Sequence, residues 1–340
     1  MKRIFCLLLA MLLLSGCAAA DSKQETKIYE ATFLTLFDTV TVIKGAAESK
    51  EAFSDTAHAI HDELLEYHQL FDIYNDYEGM NNLKTVNDRA GEAPVEVDKR
   101  IIDLLLDCKS YYDLTDGRVN VAMGSVLQLW HEARSDGFDD PMNAALPDDQ
   151  ALLDAAMHAD FDAIVINEAA STVYLADPEM RLDVGAIAKG WSTQRVAAHA
   201  PAGLMISVGG NVCATGPKDD QGTPWVVGVQ NPAGDNYLHT IYVSGGSIVT
   251  SGDYQRYYVV DGIRYHHIID PDTLYPSEYW RSVTIVCDDS GLADALSTAL
   301  FLLPLAEGQQ LLDQCGAEAM WVDAEEIQHY SPGFHALIRT

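Results

Sequence analysis

Basic residues are scarce in this chain: 21 Lys and Arg stand against 51 Asp and Glu over 340 residues, a formal charge of −30. A surface so acidic repels nucleic-acid phosphates and anionic lipid headgroups, so nucleic acid is not an expected partner. A phosphate-bearing small molecule would need a metal ion, or local cationic and backbone donors, to offset that field. Several reaction signatures are missing too. There is no G-x-G-x-x-G after a strand, no G-x-x-x-x-G-K-[ST], no G-x-S-x-G and no H-E-x-x-H. No C-x-x-C pair occurs, and Cys108, Cys213, Cys287 and Cys315 lie too far apart for zinc-ligand spacing, so they read as small buried hydrophobes. The apolar run from Ile4 to Leu14 is too short for a permanent bilayer helix.

That run is nonetheless informative. Lys2 and Arg3 precede it and Leu14-Ser15-Gly16-Cys17 follows, the layout of an export signal that is removed. The tetrapeptide resembles the lipobox of bacterial lipoproteins, which implies that residues 1–16 leave and that Cys17 becomes a lipidated N-terminus. The membrane partner is then a bilayer held through acyl chains, and localisation is extracytoplasmic. Residues 17–30 read as a small, polar tether, and 31–340 as one compact unit.

Within that unit the apolar spacing predicts helices over Glu51–Phe71, Ile101–Tyr112, Ala186–His199, Leu292–Leu303 and Leu305–Gln314. Strands are expected at Thr39–Ile43, Ala163–Ile166, Thr172–Leu175, Leu204–Val208, Trp225–Val229, Tyr242–Val249, Tyr257–Val260 and Val283–Val286. Strands come in consecutive groups and helices are not regularly interleaved, so the expected class is α+β with largely antiparallel sheets and packed helices. His58, His61 and His68 share one predicted helix. Without an acidic ligand set they read as a solvated or partly buried face rather than a metal site.

Four segments are not well explained by packing alone. Asp183, before Gly185, Lys189 and Gly190, can be a helix N-cap, but those neighbours also bring N–H groups and a cation near a phosphate. Val208-Gly209-Gly210-Asn211 reads equally as a tight turn. Ser251-Gly252-Asp253-Tyr254 through His267-Ile268-Ile269-Asp270-Pro271 reads as a hairpin ending in an Asp-Pro turn, with an imidazole and several polar groups close together. Asp294 and Thr298, at i and i+4, stand on one helix face and can supply two oxygen ligands to Mg²⁺.

In this order, and together with Phe37-Asp38-Thr39, Tyr74 ahead of Asn87, and Asn120-Val121-Ala122-Met123-Gly124 leading to Leu129-Trp130, the strings resemble the ApbE family of FAD:protein FMN transferases. The likeness runs from about Thr32 to Ile338 and implies a T-fold-related catalytic unit. It further implies that FAD binds with Mg²⁺ and that its FMN half moves to a threonine hydroxyl of another protein, forming a phosphoester and releasing AMP. By family position, Asp294, Thr298, the Ala186 carbonyl and Ser297 are expected metal ligands. Phe37, Tyr74, Val119, Asn120, Val121, Asp183, Lys189 and Ile269 are expected to line the flavin nucleotide site. His267 is the candidate general base, as an imidazole titrating near working pH.

Family acceptors carry a [DS]-G-A-[ST]-type string that is absent here, so the acceptor is expected to be a separate protein, an exported FMN-carrying electron-transfer subunit. Three departures from the family pattern stand out. Leu274 replaces the glycine of Asp-Pro-x-Thr-Gly, Asn120 stands where an acid is common, and Phe37-Asp38 replaces Met-Gly. The same residues would also suit an Mg²⁺-dependent FAD pyrophosphatase giving FMN and AMP, or a flavin-binding lipoprotein without turnover.

Overall fold

The computed structural model describes residues 27–339; the expected export signal, Cys17 and most of the expected tether fall outside them. Its main sheet has eight strands: β1 Lys27–Phe33, β2 Thr41–Ala47, β3 Leu204–Val208, β4 Asn211–Ala214, β5 Gly246–Gly252, β6 Ser282–Cys287, β7 Glu318–Val322 and β8 Gln328–Tyr330. They lie side by side in chain order, every neighbouring pair antiparallel. The α+β expectation holds. Strand β1 begins at Lys27 and pairs with Ala47, so residues 27–30, assigned above to the tether, are part of the sheet.

Helices are α1 Lys50–Phe71, α2 Leu83–Asp88, α3 Lys99–Leu114, α4 Gly124–Asp139, α5 Asp149–Ala156, α6 Ala188–Ala197, α7 Ser290–Phe301 and α8 Leu305–Leu312. The first of them buries Phe53, Ala57, Ile60, Leu64, Tyr67 and Phe71, a stripe at three- and four-residue steps. Its start is fixed by Ser49, whose hydroxyl accepts the Ala52 N–H at 3.1 Å. Helices α6 and α7 pack on each other and on the same part of the sheet, α6 over β3 and β4 and α7 over β5 and β6.

Chain insertions between sheet strands build the rest. The stretch between β2 and β3 carries α1 to α6 and a three-stranded sheet of Val95–Glu96, Thr172–Leu175 and Ile164–Asn167. Two hairpins, Trp225–Gln230 with Tyr237–Val243 and Tyr257–Val260 with Ile263–His266, rise on either side of β5 in the chain. A small core of Met123, Val126, Trp130, Leu152, Tyr258, Ile269 and Leu274 joins α4 and α5 to the second hairpin.

Two strand expectations change. Tyr242–Val249 is interrupted at Ser244-Gly245: Val243 ends a hairpin strand and Gly246, at φ +80°, starts β5 in another sheet. Strand β2 starts at Thr41 rather than Thr39, because Phe37 and Asp38 both take left-handed backbone angles, φ 51° and 52°, in the turn before it.

Candidate active site

A cleft of about 740 Å³ opens where the insertions meet the sheet, and the residues that line it come from across the chain. Phe37, Tyr74, Val119, Asn120, Val121, Asp183, Ala186, Lys189, His267, Ile269, Asp294 and Thr298 all face it, although they are scattered over more than 250 positions. Ser297 does not. It is fully buried, donates to the Asp294 carbonyl at 2.9 Å and meets the Ser251 hydroxyl at 2.8 Å, so Ser251 stands between it and the cleft. On a helix, i+3 and i+4 diverge from residue i to opposite sides, and here Thr298 takes the cleft side.

The junction of α6 and α7 is the tightest part of the site. A Cβ on Gly190 would collide with the Ser290 carbonyl oxygen and stand 2.5 Å from the Asp294 Cβ, so only glycine permits this approach. The approach brings the Gly190 N–H to Asp294 Oδ2 at 2.8 Å. Gly190 is the third residue of α6, after the N-cap Ile187, so its N–H has no helical carbonyl to pair with and Asp294 supplies the missing acceptor from α7. Ala186 precedes the N-cap, so its carbonyl lies outside the helical ladder, and the residue lines the cleft. Asp294 is only 4% exposed, and burial raises its pKa against the opposing pull of Lys189, whose Nζ lies 3.8 Å away and donates to the Gly185 carbonyl at 3.1 Å. Asn211, at the same end, lies near enough to the Asp294 carboxylate to lower its pKa, but its buried amide nitrogen makes no well-formed hydrogen bond among the described residues.

These donors suit Mg²⁺. A carboxylate, a hydroxyl and a free carbonyl are hard oxygen ligands, and a single carboxylate leaves coordination positions for water and phosphate oxygens. No cluster of three His, Cys, Asp or Glu occurs among the described residues, so an all-protein cage is not what is offered.

Asp183 does not cap α6, whose N-cap is Ile187. Its Oδ1 instead accepts the Gly185 N–H at 2.8 Å, shaping the turn before the helix, and burial raises its pKa. Asn87 pins this segment through both amide atoms, taking the Leu182 N–H at 2.7 Å and donating to the Leu182 carbonyl at 3.0 Å.

His267 leaves the second hairpin directly after His266 and sits at the cleft wall. Its Nδ1 is 3.2 Å from the Arg256 carbonyl, which can only accept, so Nδ1 carries the proton and Nε2 is the basic nitrogen. Burial, then Arg256, His266, Arg134 and Lys189, push its pKa down to about 3. This corrects the expectation of an imidazole titrating near working pH: in the free cleft His267 is neutral throughout the physiological range. His266 is structural, its Nε2 donating to the Ser277 carbonyl at 2.8 Å.

The sequence reading omitted a second group of lining residues, the cations Arg118, Arg134 and Arg256 with His68 and His131. The Arg134 guanidinium donates to His131 Nδ1 at 2.9 Å, and burial and the neighbouring Arg256 lower its pKa. Arg118 is already paired with Asp270 and Asp272, at 3.3 and 2.6 Å, so Arg134 and Arg256 are the guanidinium groups left to face a ligand in a chain of net charge −30. No short motif joins these residues, although the net charge implied that a phosphate ligand would need such donors.

Residues 35–321 match the model of the ApbE family. The FAD:protein FMN transferase of Treponema pallidum (strain Nichols) is 35% identical over 277 residues, covering 76% of this chain and 75% of that protein. The FAD:protein FMN transferase of Klebsiella pneumoniae (strain 342) is 32% identical over 267 residues, covering 75% and 80%. Among solved structures, the ApbE protein of Thermotoga maritima superposes with a TM-score of 0.81 at 30% identity, over 92% of this chain and all of that one.

The chain belongs to the ApbE family.

Its departures from the ApbE pattern take definite forms. Leu274, in the glycine's place, does adopt the left-handed region, φ 61°. It holds that angle because its side chain is buried in the small core and its carbonyl accepts the Trp130 Nε1–H at 2.9 Å. Asn120 is occupied by backbone partners, donating to the Ala159 carbonyl beyond α5 at 2.8 Å and accepting the Ala122 N–H at 2.9 Å. In place of the usual ApbE Met-Gly, the strained Phe37-Asp38 pair is tied down by the Phe37 N–H to His68 Nδ1, 3.3 Å, and by the Phe37 ring set edge-on to that imidazole. The ApbE glycine pair Gly209-Gly210 closes a two-residue turn between β3 and β4 with both φ positive, and a Cβ on Gly209 would press on Thr39.

Proposed function

We propose that this protein transfers the FMN half of FAD to a threonine hydroxyl of a separate acceptor protein, with Mg²⁺, and releases AMP. The observation that carries this reading is the Gly190–Asp294 contact. It fixes a buried carboxylate in the same cleft as Ala186, Lys189 and the His267 imidazole.

Asp294, Thr298 and the Ala186 carbonyl would hold the magnesium ion. When bound, it would offset the charge of the diphosphate and stabilise the negative charge that gathers there as the anhydride breaks. Lys189 pairs with phosphate oxygens, and the Asn211 amide donates to one. Asp183 accepts from ribose or base hydroxyl and amine groups, and Val119, Val121 and Ile269 give apolar surface to the ring systems. The acceptor hydroxyl attacks the phosphorus of the FMN half while His267 Nε2 takes its proton. A new P–O bond forms, the anhydride P–O bond breaks, and its electron pair leaves with AMP. An anionic diphosphate in the cleft screens Arg256, Arg134 and Lys189 from His267, which raises its basicity when FAD is bound.

We further propose that Cys17 is lipidated and that the enzyme works on the outer side of a membrane. The support is the sequence Lys2-Arg3, the apolar run and Leu14-Ser15-Gly16-Cys17. Labelled palmitate entering the wild type but not Cys17→Ser tests this.

Transfer itself is tested by incubating the protein with FAD, Mg²⁺ and an acceptor domain carrying a [DS]-G-A-[ST]-type string. Flavin fluorescence on the acceptor in a denaturing gel is the expected result. Free FMN and AMP with an unlabelled acceptor would mean hydrolysis, and unchanged FAD would mean binding alone.

A further inference from the structure

Next to the cleft lies a second concavity, a groove of about 350 Å³ between the end of α4 and the hairpin strand Tyr257–Val260. Its walls are apolar: Phe138 and Pro141 on one side, Tyr257 and Val259 on the other. Phe138 is 63% exposed and Val259 47%, and Met142 beyond them is 95% exposed. A solvent-facing cluster of this kind on an acidic protein marks a contact surface more often than a packing accident. Gln255 lines both the groove and the cleft, so the two are one continuous depression.

The hairpin links the groove to the chemistry. At its base Tyr257 pairs with His266, so Arg256 immediately precedes one strand and His267 immediately follows the other. The hairpin forms a two-stranded sheet of its own, leaving the other edge of Tyr257–Val260 without a strand neighbour among the described residues. A protein that delivers a hydroxyl to His267 Nε2 must bring the adjoining residues of its chain past this base. Arg134 and Arg256 stand at the same wall and Arg264 lies over the Tyr257 ring at 4.2 Å, while the exposed Asp136, Asp139 and Asp140 flank Phe138 on the other side of the groove.

We propose that this groove and hairpin are the docking surface for the acceptor protein, taking an extended segment beside the modified residue with an apolar side chain in the groove. This rests on the transfer reading above. The surface holds the segment in two ways: an apolar anchor between Phe138 and Val259, and main-chain hydrogen bonds to the open strand edge. Arg134 and Arg256 favour negative charge close to the modified residue, whereas Asp136, Asp139 and Asp140 disfavour it beside the apolar anchor.

Phe138→Glu and Val259→Glu test it, since both side chains are exposed and neither lies in the cleft. Measurements are FAD affinity by fluorescence quenching without acceptor, and KM and kcat for an acceptor domain with a [DS]-G-A-[ST]-type string. The expected result is unchanged FAD affinity, unchanged kcat and a rise in acceptor KM of tenfold or more in each variant. Unaltered acceptor KM in both variants overturns the docking surface while leaving transfer intact. Loss of a dimer in sedimentation with unaltered acceptor KM also overturns it, and assigns the patch to a second copy of this chain. A wild type that binds FAD but labels no acceptor overturns the transfer reading, and the docking surface with it.

Discussion

Replacing Gly190 by Ala probes the contact on which the site is built. The added methyl would overlap the Ser290 carbonyl and sit 2.5 Å from the Asp294 Cβ, both on α7, so α6 and α7 must move apart. Overpacking of this kind costs about 1 to 3 kcal/mol. Lengthening the Gly190 N–H bond to the Asp294 carboxylate forfeits part of the roughly 1.5 to 3 kcal/mol of a hydrogen bond to a charged group. Alanine returns about 1 kcal/mol in helix propensity. The net expectation is a loss of about 2 to 4 kcal/mol in urea unfolding. Function should suffer separately, because parting α6 from α7 moves Ala186 and Lys189 away from Asp294 and Thr298, which share the cleft with them. Magnesium-dependent FAD binding should weaken at least tenfold even at temperatures where the variant is folded. Stability within about 0.5 kcal/mol of wild type, with unchanged magnesium dependence, would refute the reasoning.

Further predictions concern the charges and the strained turn. Asp294→Asn removes a buried carboxylate whose pKa is raised by desolvation, so the metal-free protein should melt at a higher temperature at pH 7 while transfer is lost; a lower melting temperature contradicts this. For His267 the folded pKa of about 3 lies below the ordinary value of 6.5, so only the unfolded chain takes up its proton between those values. Its contribution therefore makes stability fall as pH drops from 6.5 toward 3. Arg256→Gln should raise the His267 pKa, read from imidazole proton shifts, and an unmoved titration rules out this electrostatic account. The pH profile of kcat/KM, which reports the free enzyme, should show no acid limb at 6.5 from this imidazole. Leu274→Gly relieves about 1 to 3 kcal/mol of left-handed strain but forfeits about 2 to 5 kcal/mol of buried leucine packing. A net destabilisation of about 1 to 2 kcal/mol is expected in thermal unfolding, and a more stable variant would mean that the strain dominates.

The sequence by itself determined the class of fold, because period-2 and period-3.6 burial are local properties. Thr172–Leu175, Leu204–Val208 and Tyr257–Val260 appear as strands within the expected bounds, and α1 differs from its expected span by one residue. The resemblance to the ApbE family marked the expected cleft residues; taken singly, their strings read equally well as caps and turns. Helix α4 was not legible, since only Gly124, Val126, Trp130 and Gly137 are buried along it and such sparse apolar spacing carries little helical signal. Only the tertiary structure decided that Ser297 turns away, that Gly190 donates its N–H to a carboxylate 104 residues on, and that His267 is held neutral by burial first and by nearby cations second. Each depends on which segments meet across the sheet, and a residue's pKa or free lone pair is set by those distant neighbours rather than by its own flanking sequence.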